Sequence, residues 1–137
     1  MRAWCLFTLG WFAATIVSCG VLQSQSHPSS KIIPISGFEK IAGKWEGLSK
    51  RVPDMRDDAR VLLIVSEKGR FNFVSDRETD FHLGTGTLNI QDGRAIAKSS
   101  AGTGILTFHD QAGNPVLVVE VALKDNNHYF LEMTPFR

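Results

Sequence analysis

From Gly43 onward, apolar side chains fall at every second position, the spacing of a β-strand with one face turned to a core. Val61, Leu63 and Val65 alternate with Leu62 and Ile64; Phe71 and Phe73 flank Asn72; Leu117, Val119, Val121 and Leu123 share one face. Tyr129, Leu131 and Met133 alternate with His128, Phe130 and Glu132. These runs are β-branched and aromatic, which suits a pleated, half-buried surface. Between them stand Glu67-Lys68-Gly69, Gln91-Asp92-Gly93, Ser100-Ala101-Gly102, Asp110–Asn114 and Lys124–Asn127. Each has turn chemistry, and Gly69, Gly93 and Gly113 can supply positive φ for tight hairpins. The pattern predicts eight strands, at about 43–51, 59–66, 70–76, 83–90, 94–99, 103–109, 115–123 and 128–134. Phe38–Ala42 reads as a helical turn ahead of the first strand. Short links make the strands a meander, and a meander of this size can close on itself and abolish its edges. The expected fold is all-β, an eight-stranded antiparallel up-and-down barrel, with an open sandwich of the same strands as the alternative. Such a barrel has an interior just wide enough for packed side chains or one small ligand.

The segment before the strands carries a different message. Arg2 precedes an uncharged, largely apolar run from Ala3 to Ile16, the length of a signal h-region and too short to span a bilayer comfortably. It ends in Ile16-Val17-Ser18-Cys19-Gly20, which resembles the lipobox of bacterial lipoproteins: an aliphatic residue, a small residue before the cysteine, then the cysteine itself. The resemblance implies a signal peptide over 1–18 and a mature chain that begins at a lipid-bearing Cys19. Its thioether-linked diacylglycerol, and usually an acylated amine, would hold the protein on a membrane, since each buried methylene contributes about 0.8 kcal/mol. Cys5 would leave with the leader, so no disulfide is expected within the mature chain. A glycine after the cysteine resembles outer-membrane cargo, which implies a lipid-anchored envelope protein facing the periplasm. Residues 19–36 are expected to be the tether, rich in Ser, Gln and Pro in its first half, and 37–137 the folded domain. The Lys31–Ile35 patch is expected either to dock on the domain or to pair as an edge strand, and His27 to be a solvated linker residue. With a formal charge of +1, the chain has no basic footprint for nucleic acid.

Gly43-Lys44-Trp45, after the helical turn and at the head of strand one, resembles the opening of the calycins, the superfamily of lipocalins, fatty-acid-binding proteins and avidins. The strand count and meander order match over nearly the whole mature domain. That resemblance implies the barrel architecture. It departs from the family in three places: no long helix follows strand eight, Thr79-Asp80-Phe81 resembles the second lipocalin motif but comes several strands early, and Trp45 is the one tryptophan of the mature chain. Avidins surround biotin with several tryptophans, so the architecture is carried over and biotin binding is not.

No catalytic constellation stands out. His82, His109 and His128 lie near strand ends without a ligand spacing, so neither a metal site nor a cofactor is expected. Gly84-Thr85-Gly86-Thr87 and Gly102-Thr103-Gly104 do not join a strand to a helix and are not phosphate loops; barrel curvature or close packing suits them better. Asp54, Asp57 and Asp58 stand beside Arg51 and Arg56, and Asp76, Glu78 and Asp80 beside Arg77, the mixed charge of solvated loops. A sharper reading makes Pro53–Ala59 a cover over one barrel mouth, with Arg51 or Arg56 meeting an anionic headgroup. Trp45, Phe71, Phe73, Phe108 and Tyr129 either line an apolar cavity or fill it, and the small residues Gly47, Gly86, Ala95 and Ala97 suit both. Two roles follow. The leading expectation is a non-enzymatic, membrane-tethered barrel that binds a small apolar or amphipathic ligand. The alternative is a protein-interaction module of the envelope, an inhibitor or assembly accessory factor with a solid core and Lys50–Ala59 as its contact surface. An internal void of several hundred cubic ångströms separates the first from the second.

Overall fold

The computed structural model describes residues 30–78 and 81–137; the leader, Cys19, the first part of the tether and Thr79-Asp80 lie outside the described residues. A short strand, β1 (Ser30–Ile33), and a 3-10 turn at Phe38–Lys40 precede eight longer strands: β2 (Gly43–Val52), β3 (Arg56–Val65), β4 (Arg70–Ser75), β5 (Thr85–Gln91), β6 (Arg94–Ser99), β7 (Gly102–Gln111), β8 (Asn114–Leu123) and β9 (His128–Pro135). The sequence pattern matches these eight to within three residues at every boundary.

Each of β2 to β9 pairs antiparallel with the next, and β2 pairs with β9 from Trp45↔Pro135 to Val52↔His128. The sheet is therefore a closed barrel and not an open sandwich. Two hairpins are as tight as a hairpin can be. Asp92-Gly93 joins β5 to β6 with φ of 51° and 73°, and Ala112-Gly113 joins β7 to β8 with φ of 53° and 87°. Two successive left-handed residues match the right-handed twist of the flanking strands.

Up-and-down order sends alternate connections to opposite ends. One end collects the β3–β4, β5–β6 and β7–β8 turns together with the 3-10 turn; the other collects the β2–β3, β4–β5, β6–β7 and β8–β9 connections. The first end is sealed. Ile41 is fully buried there, and Ile35 is 1% exposed, with its N–H donating to the Gly93 carbonyl at 2.8 Å. Both halves of the Lys31–Ile35 expectation hold. Ser30–Ile33 pairs with β7, from Ser30↔Gln111 to Ile33↔Phe108, on the edge that β6 leaves free, and Ile35 docks in the core.

The β2–β3 ladder breaks register between Leu48 and Lys50, where Ser49 faces two residues of β3, Asp58 and Ala59. Such a bulge leaves a backbone amide and carbonyl without ladder partners. Ser49 supplies both: its hydroxyl donates to the Ala59 carbonyl at 3.2 Å and accepts the Ala59 N–H at 3.1 Å. It is the one buried polar residue of the described core and fully enclosed. Ser49→Ala strands these groups away from water, so a loss of about 1–3 kcal/mol is expected. Urea unfolding should show a lower midpoint at an unchanged m-value.

Candidate functional site

The aromatic residues singled out from sequence fall into two groups. Phe71, Phe73 and Tyr129 point inward from β4 and β9 and are 3%, 7% and 1% exposed. A fourth ring, Phe81, joins them into a continuous edge-to-face series, with centroid separations of 5.6 Å (Phe71–Phe73), 5.6 Å (Phe73–Phe81) and 5.2 Å (Phe81–Tyr129). Trp45 and Phe108 meet at the sealed end, 6.2 Å apart and nearly perpendicular, and the Trp45 indole N–H donates to the Ile41 carbonyl at 2.9 Å. Edge-to-face pairs of this kind add about 0.5–1.5 kcal/mol beyond area burial. The rings are one another's neighbours.

The small residues do not leave the interior empty either. A Cβ at Gly86 would meet the Lys98 carbonyl oxygen and lie 2.7 Å from Phe71 Cζ; one at Gly47 would meet the Glu132 carbonyl oxygen. A Cβ at Gly104 would lie 3.5 Å from Leu83 Cδ2 and 3.5 Å from Ala97 Cβ. Close strand approach, the Phe71 ring and Leu83 use the space. Phe81 and Leu83 are the interior residues that sequence reasoning passed over. They belong to the connection between β4 and β5, outside any strand, yet are 3% and 1% exposed. Their one sequence signal is the alternation Phe81-His82-Leu83, hidden behind the polar run Asp76–Asp80.

The arginines separate. Arg51 is half-buried just inside the open end, where a guanidinium N–H donates to the Tyr129 hydroxyl at 3.2 Å and the guanidinium carbon stands 5.7 Å from the ring centroid. Arg56 is exposed and pairs with Asp54 at 3.7 Å, a surface contact of little energetic weight. The segment Pro53–Ala59 does not cover the mouth: β3 already begins at Arg56, and the side chains that enter the open end come from the β4–β5 connection instead. The histidines also stay apart. Ser30 Oγ is 2.9 Å from His109 Nδ1, while His82 and His128 are exposed. Among the described residues no three His, Cys, Asp or Glu side chains converge. On the β8–β9 turn, the Asn127 N–H, 3.0 Å from Asp125 Oδ1, holds that carboxyl below its ordinary pKa, helped by the Asn127 side chain and more weakly by nearby His82.

Concavities open on the outside of the wall. A groove of about 400 Å³ runs between Val52, Ile105, Glu120, Ala122, His128 and Phe130. A second, of about 440 Å³, shares Ile105, Glu120 and Phe130 and continues past Val118 to Ile32 on β1. Of the five aromatic residues singled out from sequence, Tyr129 borders the first groove, and Trp45, Phe71, Phe73 and Phe108 border neither. Outward positions here are mixed: Ile32, Val52 and Ile105, 60%, 40% and 38% exposed, stand among Thr103, Thr107, His109, Glu120, His128 and Glu132, whereas β5 turns only the polar Thr85, Thr87, Asn89 and Gln91 outward.

Compared with protein-family models, with curated proteins and with solved structures, the chain matches none of them.

Gly86 tests the close approach of β5 to β6 and to the Phe71 ring. Gly86→Ala forces a methyl group between the Lys98 carbonyl and the Phe71 ring. Overpacking of this kind costs about 1–3 kcal/mol; the melting temperature should fall by several degrees in calorimetry, and an unchanged melting temperature would contradict the close approach of β5 to β6.

Proposed function

We propose that this chain is a lipid-anchored protein of the bacterial cell envelope whose barrel is a non-catalytic protein-interaction module, meeting its partner through the outside of β7, β8 and β9. The observation that carries this reading is the division of apolar surface. The interior is occupied by the chain's own Phe71, Phe73, Phe81, Leu83 and Tyr129, while apolar side chains stay open to solvent on the outer wall, Ile32, Val52 and Ile105 around the two grooves and Leu48, Val74 and Phe136 on the side of β2 to β4, and the larger concavities lie with the first set. Strands of a one-sided sheet normally turn polar residues outward, and contiguous exposed apolar surface marks a contact site. His128, His109 and Glu132 border the two grooves as a polar rim, and Glu120 stands between Ile105 and Phe130 as a charged group within the patch.

The anchor is the second part of the proposal. The lipobox-like Ile16–Gly20 makes Cys19 the point of lipid attachment. β1 joins the wall beside β7 near the sealed end, so that end is the part of the described barrel nearest to Cys19 along the chain. The ligand-binding reading assigns Trp45, Phe71, Phe73, Phe108 and Tyr129 to a small apolar molecule; here the same residues contact the chain's own side chains, so the outer wall is the better-supported surface.

Two measurements check this. Cys19→Ala should lose labelled palmitate and move from the membrane to the soluble fraction. A photo-reactive residue at Ile105 or Phe130 should give a discrete protein adduct in living cells, and one at Thr87 should not. Adducts from none of the three positions, or the same adducts from all, would contradict the interaction reading; unchanged membrane partition of Cys19→Ala would contradict the anchor.

A further inference from the structure

Glu120 is a charge without a partner, set among apolar side chains. The register puts Ile105 and Phe130 directly across from it, and Val118 and Ala122 flank it along β8. The diagonal positions hold two threonines, His128 and a second carboxylate, Glu132. No lysine or arginine is among these neighbours, and among the described residues the Glu120 carboxylate has neither a hydrogen bond nor an ion pair. It does not guard an open edge, because β7 and β9 cover both sides of β8 at this position. Both grooves nevertheless share Ile105, Glu120 and Phe130. Anything that covers those two apolar side chains also takes water away from Glu120. A carboxylate stripped of water is costly unless an opposite charge takes the water's place.

We infer that the partner of this wall is a protein segment that presents a basic side chain ringed by apolar ones, and that Glu120 selects it. The inference rests on the interaction reading and adds the partner's chemistry. The apolar ring meets Ile105 and Phe130, and the cation meets the carboxylate between them. Arginine suits the position better than lysine. Its guanidinium is weakly hydrated and offers a planar fork of donors that matches a carboxylate, with further donors for Glu132 on the diagonal. A partner with an acidic or wholly apolar face would bury Glu120 unpaired, and is refused on that account.

The test uses the full chain in living cells, with a photo-reactive residue at Ile105 and the cross-linked peptide sequenced by mass spectrometry. The parent chain should join another protein at a segment that carries Arg or Lys beside apolar residues. Glu120→Gln keeps the size and removes the charge, and should lower the adduct yield at least tenfold. Glu120→Asp keeps the charge and should hold the yield within threefold, as should Glu67→Gln, an exposed carboxylate on the β3–β4 turn. Replacing the partner's basic residue by Glu should restore the adduct with Glu120→Lys. An unchanged or higher yield from Glu120→Gln overturns the inference and leaves the interaction reading standing, since the carboxylate would then be a burden that the partner tolerates. Equal losses from Glu120→Gln and Glu120→Asp also overturn it, because charge would not be what the partner reads. So does an adduct to a segment without Arg or Lys, or to a second copy of this chain. No adduct from Ile105 or Phe130 of the parent chain overturns the inference and the interaction reading together.

Discussion

The pairing of β2 with β9 brings the beginning and end of the domain together over eight consecutive positions, and the rest of the molecule follows from it. Without that seam the meander would be an open sheet with two long edges, each a template for aggregation. With it, the strands enclose a volume that cannot be left dry and empty without loss of dispersion contacts. Closure therefore converts a question about strands into one about filling. The chain answers with large residues at the sealed end, where Trp45 and Phe108 meet, and with residues borrowed from a connection at the other.

That borrowing shapes both functional readings. Because the β4–β5 connection contributes Phe81 and Leu83 to the interior, the described aromatic rings inside the barrel pack against one another, and exposed apolar side chains lie on the outer wall.

Much of this was legible in the alternation. Phe71-Asn72-Phe73 gives β4 and its inward face, and Asp92-Gly93 fixes a hairpin from two residues. The β5 boundary was less legible: Leu83 continues the alternation and extends the expected strand to 83, but its burial comes from packing over Gly104 while the ladder begins at Thr85. Alternation reports which side chains are buried and not how their backbones are paired. Whether the interior is hollow was not legible at all. Gly86, Ala97 and Gly104 look the same in a wall that makes room for a ligand and in one that makes room for Leu83, and the sequence does not say which connection crosses the mouth. The role of Ser49 was equally hidden, because a bulge depends on the relative register of β2 and β3, a property of the pair.

The most direct test of the account is the set of interproton contacts inside the barrel, measured by nuclear magnetic resonance on protein isolated from its own membranes. Cross-relaxation between the Leu83 methyl groups and the Gly104 Hα protons, and between the Phe81 and Tyr129 rings, is the predicted result. Cross-relaxation from Gly104 and Tyr129 to a co-purified small molecule, with the Phe81 ring open to solvent, would contradict it.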